Sequence, residues 1–335
     1  MDKAEFRLLR QGKRIKWGTE TSTASTEASY YSGKFENGVG MYPRPFFFVE
    51  PDPVPVGFDA RRPPFRTSPL SYKGGAQRYK DVVIRGGVER QFLFTTILNE
   101  NLVSFATTGF RTVVLPVAAR QNRWDALSEQ EVKRHGELAR WVEQVREGYT
   151  QRNSGKRPPD VVFEDQSARQ KLTKQRTDRR FAVIYCAWGD PVAAVVPYEA
   201  FSIEIGRHTV PTAGLVIENC QYVFQTDSED EAHYLAAVVN SPLLLSAVTK
   251  WMTERGFGEA HIHTRIFDQP IPRFDEDNER HRSLAEAAKT AAEKVRDFLA
   301  STTHGKAIGS FRLKVRKHLR DELAEIDRLV SDFMT

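Results

Sequence analysis

The sequence predicts an α+β protein, with mixed and largely antiparallel sheets, packed helices and a C-terminal helical hairpin. Two stretches rich in β-branched and aromatic residues, 91–117 and 181–196, are cut by Asn, Gly and Pro turns, as hairpin-linked strands are. Other segments repeat apolar residues every three or four positions, the spacing of a helix face. Residues 281–335 hold two further amphipathic segments with Gly305 and Gly309 between them, the pattern of two helices folded back on each other.

The 335 residues are 40% hydrophobic and 28% charged. This ordinary globular balance excludes fibrous and disordered classes and leaves room for two modest domains. No apolar run is long enough to span a bilayer, and MDKAEFRLLRQGKRIKW has no apolar signal-peptide core. The expected setting is the cytoplasm, with no membrane partner. Cys186 and Cys220 are the only cysteines. They are too few for a disulfide framework or a cysteine-ligated structural zinc, which fits a reducing compartment. The formal net charge of +5 permits nucleic acid as a partner without requiring it.

Residues 1–29 read as a leading segment. Lys3, Arg7, Arg10, Lys13, Arg14 and Lys16 outnumber Asp2 and Glu5, and Phe6, Leu8, Leu9 and Ile15 resemble part of a core completed by an upstream domain. The main α/β region runs from 30 to 275. Pro43, Pro45, Pro51, Pro53 and Pro55 fence a short strand through Phe46-Phe47-Phe48, aromatics suited to a core. Residues 59–90 are basic, led by Arg61, Arg62 and Arg66, and Gly74-Gly75 and Gly86-Gly87 let backbone approach phosphates closely. Over 91–117, two or three strands turn at Asn99-Glu100-Asn101 and at Gly109. Ser128 and Glu131 form a capping box for a helix with the face Leu138, Trp141, Val142, Val145 and Tyr149.

A loop at 150–180 follows, QRNSGKRPPD and then RQKLTKQRTDRR. In it Arg169, Lys171, Lys174, Arg176, Arg179 and Arg180 face a single acid, Asp178, the chain's densest footprint for a polyanion. Strands at 181–188 and 192–196 are joined by Gly189-Asp190-Pro191.

From Asn219 to Asp275 the expected order is strand, helix, break, helix, glycine loop, strand, Pro-Ile-Pro. Ser228 and Glu231 form a second capping box. Leu235, Val238 and Val239 mark the first helix, and Asn240-Ser241-Pro242 stops it and caps the next. Leu244, Val248, Trp251 and Met252 continue to Gly256, placed to end that helix. His261–Phe267 alternates as a half-buried strand, and Pro270-Ile271-Pro272 bars another helix. In the last segment Leu284, Ala288, Ala291, Val295 and Phe298 form one stripe. Val315, Leu319, Leu323, Ile326, Val330 and Phe333 form the other, making a hairpin over 276–335.

That order resembles the DNA target-recognition (specificity) region of large, type IIG-like adenine-N6 DNA methyltransferases of restriction–modification and phage-defence systems. The residues that carry it are Tyr234-Leu235-Ala236, Asn240-Ser241, the Gly256 loop with His261, and the exit Pro270-Ile271-Pro272-Arg273-Phe274. Phe35–Gly40 followed by Tyr42–Val49 is similar to the glycine-rich segment and Pro-Arg strand that open that region. The resemblance implies a module that binds double-stranded DNA and directs a methyltransferase catalytic domain or subunit. The cofactor S-adenosylmethionine would be held by that partner, and none by this chain. Phosphate contacts are then expected from Arg61, Arg62, Arg66 and the 169–180 run. Further DNA contacts are expected from Arg255, His261, His263 and Arg265 around the glycine loop.

The residues of methyl transfer itself are not legible here. An amino-methyltransferase of this class needs an acidic-or-amide, Pro-Pro, aromatic loop whose first side chain accepts from the target amine. Arg62-Pro63-Pro64-Phe65 begins with an arginine, which can only donate. Gly256-Phe257-Gly258 follows a helix where a cofactor loop follows a strand. His261 and His263 share a strand face without a third ligand at motif spacing, so no metal is expected. Two other readings stand beside this one: a protein-interaction module with incidental basic loops, and an enzyme of another class centred on His261 and His263.

Overall fold

Two antiparallel sheets organise the chain, the first packed on one core and the second lying between two others. The computed structural model describes residues 7–11, 14–18, 29–52, 58–72, 77–153, 159–160, 162–164, 170–187, 189, 191–199, 201–249, 265–302 and 307–334. A hairpin pairs β1 (Arg7–Gln11) with β2 (Arg14–Gly18). Then come β3 (Glu36–Asn37), β4 (Phe48–Pro51), β5 (Pro64–Thr67), β6 (Arg85–Gly87), β7 (Leu93–Thr96), the short pair β8 (Leu102–Val103) and β9 (Ala106–Thr107), and β10 (Arg111–Val114). Strands β6, β5, β4, β10 and β7 form the first sheet in that order. Its core holds Phe46, Phe47, Phe48, Phe65 and Phe94. The phenylalanine triplet is split, because Arg44–Phe46 makes a 3-10 turn and pairing starts only at Phe48.

A hairpin of β11 (Val117–Arg120) and β12 (Arg123–Ala126) leads to α1 (Glu129–Val132) and α2 (Gly136–Asn153). The capping box at Ser128 is present: its hydroxyl accepts from the Glu131 N–H, and the Glu131 carboxylate accepts from the Ser128 N–H at 2.8 Å. It caps only the single turn of α1. The helix carrying Trp141 and Tyr149 starts afresh at Gly136, so one expected helix is two. The first amides of α2 donate to Glu89, from Glu137 at 3.0 Å and from Leu138 at 2.8 Å. A carboxylate at this end also meets the positive pole of the helix.

The second sheet uses β13 (Phe181–Cys186), β14 (Ala193–Pro197) and, after the hairpin β15 (Ser202–Ile205) and β16 (His208–Pro211), β17 (Gln221–Thr226). Its order is β14-β13-β17-β3. Every residue of β13 is buried. Period-two alternation sends Phe181, Val183 and Tyr185 into one core and Ala182, Ile184 and Cys186 into another. Helices α3 (Glu229–Asn240), α4 (Pro242–Thr249), α5 (Glu279–Ser301), α6 (Ile308–His318) and α7 (Arg320–Met334) close the first of these cores.

The 219–275 region differs from the sequence reading in two places. Ser228 caps α3, accepting from the Glu231 N–H at 3.1 Å, but the reciprocal bond is missing. The Glu231 carboxylate accepts instead from the Thr226 hydroxyl at 2.6 Å and the Tyr31 hydroxyl at 2.9 Å. Arg265–Asp268 is a 3-10 turn rather than the end of a strand. The neighbours Ile266 and Phe267 both enter the core, which an alternating half-buried strand forbids. The Asn240-Ser241-Pro242 break stands as expected, and Asn240 also clamps β14. Its amide accepts from the Ala193 N–H at 3.2 Å and donates to the Ala193 carbonyl at 2.9 Å. Gly256 lies outside the described residues.

The C-terminal pair is three helices. The second breaks at Leu319, whose backbone leaves helical geometry, and Gly309 sits inside α6 rather than in a turn. The apolar stripes of α5, α6 and α7 are buried against α3 and the second sheet, so this chain covers them itself. Arg312 of α6 is buried and donates to the carbonyls of Asn99 at 2.6 Å and Leu102 at 3.0 Å, and to the Cys186 sulfur at 3.1 Å. It ties the helices to the Asn99–Leu102 segment after β7 and to the end of β13.

Candidate nucleic-acid interface

The basic run is fixed to the fold through its uncharged members. Leu172 is fully buried. The buried Gln175 amide donates to the Ile217 carbonyl at 3.1 Å and accepts from the Ile217 N–H at 2.8 Å. Gln225 of β17 grips the Arg176 backbone in the same two-way manner, both bonds at 2.7 Å. The cations therefore project from a rigid strip, which lowers the entropy cost of using them.

Several of those cations have partners, and two of the partners, Glu36 and Asp227, are acids distant in sequence. Lys171 donates to the Asn37 side-chain oxygen at 2.6 Å and Lys174 to Glu36 at 2.8 Å, so the strip shields edge strand β3. Arg176 holds Asp178 with two bonds, 2.8 and 2.6 Å. That contact with Arg176 keeps the Asp178 carboxyl at about 2, below the usual carboxylate range. Arg179 pairs with Asp227, which also accepts from the Arg180 N–H at 3.2 Å. The Arg180 guanidinium lies 5.3 Å over the Phe181 ring. Three carboxylates thus sit among cations that face a single acid in the linear sequence.

The other expected contacts are dispersed. On the five-stranded sheet, Arg62 stands 3.9 Å from Glu137 and Arg66 pairs with Glu50 at 2.5 Å, while Arg61 is exposed. Arg169, Arg255, His261 and His263 lie outside the described residues, as does the Arg265 side chain. Among the described residues no three His, Cys, Asp or Glu side chains gather as a metal site would.

One element missed in the sequence lies directly against the strip. The tip of the β11–β12 hairpin is Arg120-Gln121-Asn122-Arg123, all exposed. The Thr177 N–H donates to the Asn122 carbonyl at 2.9 Å, and Arg123 and Arg176 form an antiparallel bridge. The hairpin is locked one pair below its tip by Trp124, which faces Ala119. Its indole N–H donates to the Leu215 carbonyl at 3.0 Å and its ring meets Phe94 edge-on. The turn lacks glycine, so no common hairpin dipeptide marks it in the sequence. The alternation in Arg123-Trp124-Asp125-Ala126, after two polar residues, is the signal that could have found it.

Gly38 serves a backbone crossing, because a Cβ there would lie 2.2 Å from the Glu218 carbonyl oxygen. Pro64-Phe65 is paired on both sides within β5, and Phe65 is fully buried, so this ring cannot stack on a base. Cys220, held up at about 12 chiefly by burial, stays protonated at neutral pH.

The sequence matches no family model and no curated protein. Among solved structures the fold is similar to the Type IIL restriction–modification enzyme MmeI in complex with DNA, with a TM-score of 0.51 and 9% identity. The match covers 94% of this chain and 33% of that one, so the chain spans about a third of that enzyme's length. At this identity the likeness speaks for the fold. No helix among the described residues is long and apolar enough to cross a membrane.

Proposed function

We propose that this chain is a sequence-specific DNA-recognition module that directs an adenine-N6 methyltransferase of a restriction–modification or phage-defence system in the cytoplasm. The observation that carries the reading is the fold shared, over nearly the whole chain, with a restriction–modification enzyme solved on DNA. The motif resemblance at 35–49 and 234–274 agrees with it. In this reading the rigid strip at 171–180 holds phosphates and sets register. A partner domain or subunit binds S-adenosylmethionine and carries out the transfer. The chain alone is then a binder. Incubated with labelled S-adenosylmethionine and mixed-sequence duplex, it leaves the DNA unlabelled while shifting it in a salt-dependent manner. Label on the DNA, or no shift at low salt, overturns the proposal.

A further inference from the structure

Arg120–Arg123 forms a two-residue β-turn in which Gln121 has φ +49° and Asn122 has φ +61°. Positive φ at both central positions suits the twist of a hairpin, and the residues that adopt it cheaply are Asn and, above all, Gly. Glutamine is a poor choice for the backbone. Its presence at an exposed, strained position points to a use for its side chain. The tip is held still, since Trp124 anchors the adjacent residue pair and the Thr177 N–H holds the Asn122 carbonyl. Rigid support is what a reading element needs.

The chemistry at the tip and its placement agree. Asn and Gln amides offer a donor and an acceptor side by side, the pattern that pairs with N6 and N7 of adenine in the major groove. A two-stranded ribbon is also narrow enough to enter that groove. Beside it run Lys174, Arg176 and Arg179, cations suited to the phosphates that flank the groove.

We infer that Gln121 and Asn122 are base-reading residues, presented by the β11–β12 ribbon to purine edges, adenine first, in the major groove of the target site. This rests on the proposed DNA-recognition function. It goes beyond it by naming the specificity-determining side chains and separating them from the phosphate-gripping run.

The test uses the full 335-residue chain and the double variant Gln121→Gly/Asn122→Gly. Glycine suits both turn positions, so the variant keeps or raises the melting temperature and removes only the side chains. Wild type first selects its preferred duplex from a random library. On that duplex the variant should lose roughly 5- to 150-fold in affinity, the worth of one amide–adenine pair. A repeat selection should lose preference at one or two base pairs. Affinity for random duplex and the salt slope should not change. Asn122→Gly alone, which is neutral and suits a positive-φ turn position, should show part of that loss, confined to the selected duplex, should the double variant melt lower. A variant that selects the same site with wild-type affinity overturns the inference and leaves the DNA-recognition reading standing. Equal losses on selected and random DNA also overturn it, since the tip would then be a phosphate contact. Should wild type enrich no sequence, the functional reading fails and the inference with it.

Discussion

Removing acids from the basic strip should tighten DNA binding. Glu36 and Asp227 sit on Lys174 and Arg179, cations assigned here to phosphates. A carboxylate about 7 Å from a gripped phosphate repels it by ~0.6 kcal/mol in water. At low ionic strength, where screening is weak, removing one such charge raises affinity about two-fold, and removing two raises it roughly four-fold. The cost to folding is small, because exposed ion pairs contribute about 0.2–1 kcal/mol each. The double variant Glu36→Gln/Asp227→Asn should therefore bind random duplex more tightly at low salt, the gain fading towards physiological salt. The counter-experiment reverses the cations: Arg176→Glu/Arg179→Glu/Arg180→Glu should weaken binding to all sequences equally. It should also flatten the log–log salt slope by about one unit per lost phosphate contact. Fluorescence anisotropy across a salt series measures both. Unchanged or weaker binding by the folded acid-free variant, with an unchanged slope in the reversed one, would refute the phosphate assignment.

Two further outcomes follow from the fold. Arg312→Met keeps the buried stem but strips the Asn99 and Leu102 carbonyls of their donor. It should cost about 2–4 kcal/mol in urea unfolding, and unchanged stability would contradict the tie. His233 is held at about 4, chiefly by burial and then by Lys289. The folded state thus excludes a proton that the unfolded chain accepts near pH 6.5. Stability should fall as pH drops from about 6.5 to about 4, by on the order of 3 kcal/mol from this group alone. His233→Gln should flatten that part of the pH–stability curve, and an identical curve would count against the assignment.

What the sequence made legible was local. The Ser128 cap, the Asn240-Ser241-Pro242 break and strands β13 and β14 each depend on a few neighbouring residues, and each appears where expected. What stayed hidden depends on distant partners. Glu36 and Asp227 neutralise part of the basic run only because β3 and the end of β17 fold beside it. The α1–α2 break depends on Glu89 capping from afar, and the Leu319 break on helices packing around one core. Hairpins β11–β12 and β15–β16 carry weak local signals, since Gln-Asn is an uncommon turn and 202–211 is mostly exposed. At the candidate interface, the run was visible as charge, and the ribbon tip beside it was not.

The central claim, that this chain reads DNA sequence, is tested most directly by selection from a random duplex library with the folded, full-length chain. A sequence-reading chain enriches one short consensus, bound at least about a thousand-fold more tightly than random duplex at physiological salt, the low end of the roughly 10³–10⁷ range of specific binders. A folded protein that enriches nothing, or binds every duplex equally, would contradict it.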